Sequence, residues 1–452
     1  MAIQRPPSTS SITSASLAAL QDRMAAELAR HLSQHAGRLG WDAARVARHQ
    51  RERMRALLTH SLERSPFHAR RLQGLDPSRF ELSDLRRLPV MSKSQMMAEF
   101  DDVVTDARLS RSLVEEHLAA SNHEPSLLLG DYVCLASGGS SGLRGVFIQT
   151  LGEYADFVAS VVRRGYARAL AAAGPPPEGL VLGIVGAASP IHSSGFGAAV
   201  AAEPPVRLIP APATLPLREI VGRLNAVQPP CLLGYASKLA ELAQEQLAGR
   251  LRITPRSVTS MAEVVTAADR ALIEQAFQVP VTDMFVSTEG LVGHSEPGGS
   301  VLSFASDTCL AELVDDDNNP VPDGEPSAKV LVTNLHNFTQ PLLRYELTDR
   351  MTGHASTGAA GWLRASLDGR ADEVFLYGGV AVHPHVIRSV LVGAAGVSEY
   401  QVRQSERGIH VDCVTDGRLD PASLAARLEH ALRPGGPQPA PGPHRVGRGD
   451  RS

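Results

Sequence analysis

Lysine is almost missing from this 452-residue chain: only Lys93, Lys238 and Lys329 occur, and nearly all positive charge is arginine. Chemistry that needs an ammonium group therefore has three candidates. The cysteines, Cys134, Cys231, Cys309 and Cys413, are scattered with no CxxC spacing. That argues against a zinc cluster or a disulfide framework and suits a reducing cytoplasm. No run of about 20 apolar residues is present to span a bilayer as a helix. The N-terminal MAIQRPPSTSSITSAS lacks a basic region leading into an apolar one, so a secretory signal is not expected. With a net charge of only -4, no general attraction to nucleic acid or anionic membrane is expected. Aromatic residues make up 4% of the chain, which leaves no obvious stacking box for a planar ligand. A soluble cytoplasmic protein is the expectation.

What remains is globular in composition, and its length calls for more than one core. Residues 1–16, rich in Ser, Thr and Pro, read as disordered. From Ser16 to about Glu63, Leu and Ala recur at helical spacing among many arginines, which predicts a solvated amphipathic helix pair. From about residue 130 short apolar strands alternate with helical stretches. VLGIVG (181–186), VRLIP (206–210), CLLGY (231–235) and RSVTSM (256–261) are strands; 237–250 and 267–277 are helices. That alternation predicts an α/β fold built on largely parallel sheet. Residues 300–350 read as β-hairpins around a polar Asp/Asn/Pro/Gly turn. Beyond Gly369 come a short strand-like stretch and two helical segments, HPHVIRSVLVGA and SLAARLEHAL. The tail from Arg433 is Pro/Gly-rich.

The strongest local signal is LASGGSSGLRGVFIQT (135–150). Ser137, Gly138, Gly139, Ser140, Ser141 and Gly142 sit between two apolar runs. Glycine allows close backbone approach, so successive N–H groups and serine hydroxyls can converge on phosphate oxygens, with Arg144 as a nearby cation. A flexible Gly/Ser hairpin turn is the plainer alternative. A P-loop NTPase is disfavoured, because no Gly-Lys-Ser/Thr follows and the chain continues as strand. Thr288-Glu289-Gly290 ends an apolar strand, where open α/β sheets bind ligands. A glutamate there can hold Mg²⁺. Asp349 follows another strand, and Arg370 can pair with phosphate or ribose oxygens; alone, either residue is equally at home in a turn.

The loop at 135–150 resembles the Ser/Thr/Gly-rich phosphate loop of the adenylate-forming superfamily, in particular of phenylacetate–CoA ligase-like proteins. Further motifs follow in that family's order. SMAEVVTAADRALIEQAF (260–277) is similar to its acidic loop-and-helix segment, with Glu263 on the nucleotide side. VPVTDMFVSTEG (279–290) is similar to its aromatic-Gly-Ser-Thr-Glu motif. PLLRYELTDR (341–350) is similar to its arginine-tyrosine…aspartate motif, and GRADEVFLYGGVAVHP (369–384) to its interdomain hinge. The resemblance implies a large N-terminal domain over 17–368, with parallel sheets and a β-rich subdomain. It also implies a small α+β domain over 369–432, hinged near Asp372, and a flexible tail over 433–452.

The same resemblance implies ATP, Mg²⁺ and coenzyme A as ligands. A carboxylic acid would be activated as its acyl-adenylate and then transferred to the CoA thiol. Asp349 would bind the ribose hydroxyls, and Arg144, Glu289 and Arg370 would serve the phosphates. The acyl pocket falls near His192 (in ASPIHSSGFG), Tyr235, Met261 and Phe285, where core packing is an equal alternative.

Two departures stand out. The loop lysine common in the family is replaced by Arg144, shifted by one. The family's C-terminal lysine has no counterpart after Lys329, where only His444, Arg445 and Arg448 occupy the corresponding stretch. Removing one such cation costs about 3–4 kcal/mol at the transition state, by analogy with lost oxyanion donors. Two alternatives therefore stand beside the CoA ligase: adenylation with transfer to an amine or a carrier-protein thiol, and a non-catalytic homologue that binds nucleotide or acyl-adenylate.

Overall fold

The computed structural model describes residues 14–431 apart from 122–123, 138–144, 174–177, 188, 214, 357, 359, 371–374, 378–379, 383–386, 388–389, 392–396, 406–407 and 416–418. Of the segments read as disordered or loose, residues 1–13 and 433–452 lie outside this set. Ser14–Ser16, however, belong to the first helix, α1 (Ser14–Arg38). Most of the expected helix HPHVIRSVLVGA also lies outside it.

The predicted N-terminal helix pair is α1 and α2 (Ala43–Arg64), the latter started by Asp42, whose side chain accepts from Arg45 N. The pair is not a solvated appendage. Leu20, Met24, Leu28 and Leu32, spaced at three or four residues along α1, are buried in the main core. Burying each such side chain stabilises by about 1.5–3 kcal/mol. They pack against the helix Leu151–Ala173, and Met54, Leu57 and Leu58 of α2 enter a separate apolar cluster.

A hairpin, β1 (Tyr132–Ala136) and β2 (Val146–Thr150), precedes the main sheet. Then follow β3 (Leu180–Val185), β4 (Val206–Pro210), β5 (Cys231–Tyr235), β6 (Ser257–Met261) and β7 (Val281–Val286), all parallel. β8 (Val292–Ser295) and β9 (Leu302–Phe304) are antiparallel additions. The three strands β10 (Cys309–Val314), β11 (Lys329–Asn334) and β12 (Tyr345–Leu347) form a sheet of their own. The hairpin β13 (Asp349–His354) and β14 (Arg364–Arg370) returns to the main sheet, whose order is β13-β14-β9-β8-β7-β6-β5-β3-β4. The expected parallel sheets are thus one mixed sheet, because β8, β9 and the late hairpin extend its edge.

Both faces of the parallel part are covered, which explains its near-continuous apolar strands. Alternate residues serve opposite cores. Ile184, Leu233, Met261 and Met284 face the large cluster, whereas Val185, Leu232, Val258 and Val281 face the helices Leu217–Val227, Ala236–Leu247 and Ala267–Phe277. That is the two-residue strand period acting on a sheet packed from both sides. Towards the C-terminus, Ile387, Leu391, Ile409, Leu424 and Leu428 make a small cluster of their own.

Candidate active site

Parallel strands end together, and their C-terminal ends are where such sheets receive ligands. Cα partners Tyr235, Met261 and Met284 align the ends of β5, β6 and β7. Ala262, just past β6, adopts φ +60, a left-handed conformation unusual for alanine. A Cβ on Gly186, after β3, would lie 2.9 Å from Met261 Cε, so this strand end approaches Met261 closely. His192 heads the helix Ser193–Val200, and its Nδ1 lies 3.2 Å from Ala136 O at the end of β1. Ile191 O accepts from Ala136 N at 2.8 Å. His192 is thereby fastened beside the β1–β2 hairpin. Phe285 packs edge-on against Phe304, with ring centroids 5.9 Å apart.

At the neck of that hairpin, Ser137 N donates to Gly145 O at 2.9 Å and Gly145 N donates to Ser137 Oγ at 3.0 Å. A side chain on Gly145 would meet Ser137 Oγ and the Phe147 ring, both at 2.9 Å, so the neck requires glycine. Gly138, Gly139, Ser140, Ser141, Gly142 and Arg144 lie outside the described residues, as does Asp372.

Among the described residues the second edge of β2 has no strand partner; the segment 334–340 occupies it. Gln340 accepts from Ile148 N at 3.0 Å and donates to Val146 O at 3.2 Å, and Asn337 Nδ2 donates to Ile148 O at 3.0 Å. The Glu153 carboxylate accepts from Thr150 N, Phe338 N and Thr339 Oγ1, each at 2.7 Å. At the other end, Asn334 Oδ1 accepts from His336 N and Asn337 N, while its Nδ2 donates to Glu289 O at 2.8 Å. One buried polar segment therefore ties the β1–β2 hairpin to the Thr288-Glu289-Gly290 turn. Such networks rigidify when every member is satisfied. Sequence reasoning missed it. Its signal was NLHNFTQ (334–340), polar residues between two apolar runs.

Glu289 is itself buried, and Gly290 has φ +103. A Cβ there would fall 2.3 Å from Asn334 Nδ2 and 2.9 Å from His336 Cε1, so the turn tolerates only glycine. Cys309 Sγ donates to Gly290 O at 3.2 Å. Burial raises this thiol well above its ordinary value and pushes Cys134 up to about 12, so neither is poised as a thiolate. Burial also depresses His336, down to about 4, and it is neutral at pH 7.

Asp349 and Arg370 are Cα partners across β13 and β14, with Asp349 buried. Strand order puts β9 and β8 between this hairpin and β7, which the Glu289 turn follows. Two motif residues hold structure. Glu263 accepts from Ser237 N at 2.8 Å and Ser237 Oγ at 3.2 Å, capping the helix Ala236–Leu247. Arg344 pairs with both Glu312 oxygens, at 2.9 and 3.1 Å, and donates to Arg86 O and Leu88 O.

No protein-family model matches the chain. Phenylacetate-coenzyme A ligase of Escherichia coli K12 is 25% identical over 405 residues, covering 81% of this chain and 80% of its own. Protein CapK of Staphylococcus aureus is 29% identical over 135 residues, covering 29% of this chain and 28% of that protein. In three dimensions, 2-hydroxyisobutyryl-CoA ligase in its postadenylation state with 2-HIB-AMP gives a TM-score of 0.60 at 17% identity, covering 87% of this chain and 85% of that one.

Proposed function

We propose that this chain, which has the adenylate-forming fold and is phenylacetate–CoA ligase-like in sequence, activates a carboxylic acid with ATP and passes the acyl group to coenzyme A. The observation that carries the reading is the polar tie from β2 through 334–340 to Glu289. It joins β2, the strand that follows the Ser/Gly-rich stretch, to a carboxylate-bearing turn, as simultaneous contact with a triphosphate and its counter-ion requires.

In this reading the loop 137–142 and Arg144 cradle the phosphates, and Thr288 hydrogen-bonds beside them. Asp349 accepts from the ribose hydroxyls, with Arg370 paired across the strand to the phosphate or ribose oxygens. Among the described residues no group of three or more His, Cys, Asp or Glu could hold a metal unaided. A single carboxylate suits Mg²⁺, which keeps its waters and binds substrate phosphates, so Glu289 fits it. The ion neutralises triphosphate charge when bound. A carboxylate oxygen attacks the α-phosphorus and pyrophosphate leaves. His192, Tyr235, Met261 and Phe285 border the acyl group. Glu263 serves by positioning, through its helix cap. Residues 17–368 act as the large domain, and 369–432 swing about Asp372 between half-reactions.

A second reading, nucleotide or acyl-adenylate binding without turnover, is favoured by the lack of lysine after Lys329. Carboxylate-dependent ATP–pyrophosphate exchange over aryl and aliphatic acids separates the two. Exchange with at least one acid supports the ligase, and ATP binding without exchange supports the second reading. Neither exchange nor ATP binding, across the panel, overturns both. Preformed acyl-adenylate offered to CoA, amines and carrier thiols identifies the acceptor.

A further inference from the structure

Behind the Glu289 turn lies a second cavity, of about 330 Å³, bounded by α1, α2, the helix Leu151–Ala173 and the segments around Thr308 and His336. His336 is the shared wall: it lines the cavity and abuts Gly290 from the other side. The charges around it are unbalanced. Asp307 is bound on both oxygens by Arg163 at 2.7 Å. Asp156 is shared by His31 and His35, each at 2.9 Å. That leaves the guanidinium groups of Arg38 and Arg53. Arg38 donates from one terminal nitrogen to Gln34 Oε1 at 3.2 Å, its nearest carboxylate oxygen is 3.7 Å away on the already paired Asp307, and its Nε is buried without a hydrogen-bond partner. Arg53 forms no ion pair among the described residues; it donates to Leu335 O and lies over the Phe338 ring.

We infer that this cavity is a binding site for a small phosphate-class oxyanion, held between the guanidinium groups of Arg38 and Arg53. Two planar forks from different helices suit the several oxygens of a tetrahedral dianion. The volume lies at the low end of the roughly 300–1,000 Å³ of small-molecule pockets. A metal is the poorer match despite the histidines, because no three-ligand set exists among the described residues. Burial depresses Arg53 and neighbouring Arg38 lowers it further, while Asp156 and Glu153 pull the other way, so an added anion would chiefly offset the desolvation of this guanidinium.

Occupancy reaches the Glu289 turn through His336 and Asn334, and this coupling alone depends on the proposed function. The test is thermal unfolding of the full chain with sodium phosphate, pyrophosphate or sodium chloride at matched ionic strength, repeated on R53M and R38M. Phosphate should raise the melting midpoint saturably where chloride does not, and each substitution should weaken that affinity roughly tenfold or more. Pyrophosphate acting where phosphate fails assigns the site to the longer anion of the same class. Phosphate and pyrophosphate both behaving as chloride, or R53M responding as the unsubstituted chain does, overturns the site. If R53M does not fold, phosphate titration of the unsubstituted chain decides: imidazole ¹⁵N resonances of His336 and of His49, which also lines the cavity, must shift, and their constancy overturns it. AMP serves as the independent arm. Stabilisation by phosphate but not by AMP or ATP would remove the proposed function and leave the anion site standing.

Discussion

Gly290→Ala tests the frame on which the nucleotide site is argued. Alanine at φ +103 carries about 1–3 kcal/mol of backbone strain. Its Cβ would also fall 2.3 Å from Asn334 Nδ2, and Asn334 has little freedom to retreat. Its side chain makes four hydrogen bonds, with Glu289 O, His336 Nε2, His336 N and Asn337 N. Losing the two made by Nδ2 adds about 1 kcal/mol each to the strain, so the substitution destabilises by roughly 3–5 kcal/mol in total. At about 2.1 cal/mol/K per residue, a chain of this size shifts by about 1 °C per kcal/mol, so the melting midpoint should fall by roughly 3–5 °C. Displacement of the Glu289 turn should lower ATP–pyrophosphate exchange about a hundredfold, as misplacement by about 1 Å does elsewhere. The mechanism makes a sharper claim through coupling. Asn334→Ala removes the nearer clashing atom and leaves His336 Cε1 at 2.9 Å, so adding Gly290→Ala to it should cost the backbone strain and that lesser contact, and the two effects should be sub-additive by about 1–2 kcal/mol. Urea unfolding of the four variants of this cycle provides the measurement. Strict additivity, or a single Gly290→Ala variant with unchanged midpoint and exchange, would refute the reasoning.

Two further outcomes follow from buried charge. Asp307→Ala leaves the buried Arg163 guanidinium without its two 2.7 Å partners and should destabilise by about 3–5 kcal/mol, whereas Arg163→Met with Asp307→Leu should recover most of that loss; equal stability of the single variant and the unsubstituted chain in urea would count against it. Acid should also destabilise the fold well before the carboxylates titrate. Burial holds His68 and His294 down to about 3 and His336 down to about 4, aided by Arg71 for His68 and Arg164 for His294. Their folded values lie below the unfolded 6.5, so falling pH protonates the unfolded chain first and stability drops between pH 6.5 and about 4. Each histidine contributes a slope of up to about 1.4 kcal/mol per pH unit. Urea unfolding at pH 7.5, 6 and 5 measures it, and a flat profile would exclude neutral burial of these rings.

Periodicity made much of the fold legible. Apolar strands at 181–186, 206–210, 231–235 and 256–261, with helices between, announced a parallel α/β sheet because both signals are local: two-residue alternation for strands and three-to-four-residue recurrence for helices. The Gly/Ser run after β1 and the Thr-Glu-Gly run after β7 were equally readable, since glycine marks a backbone demand wherever it falls. Other features were beyond that reach. The burial of α1 depends on Leu151–Ala173 being its neighbour, more than a hundred residues away in sequence. The helix-capping task of Glu263 depends on Ser237, and the bidentate grip of Arg344 on Glu312. An isolated acidic or basic residue does not reveal its partner, because the partner is set by chain crossing.

The same division separates the halves of the candidate site. The residue types themselves, a Ser/Gly run, a carboxylate beyond a strand, an aspartate and an arginine, were legible in the sequence alone, since each needs only its own side chain and its local turn; that Asp349 lies opposite Arg370 was decided by the β13–β14 register. Tertiary structure decided what holds them in register. NLHNFTQ became the second edge of β2 and the clasp of Glu289 because a hairpin strand with one free edge must have its N–H and C=O groups satisfied when buried, and only the fold brings Asn337 and Gln340 to it.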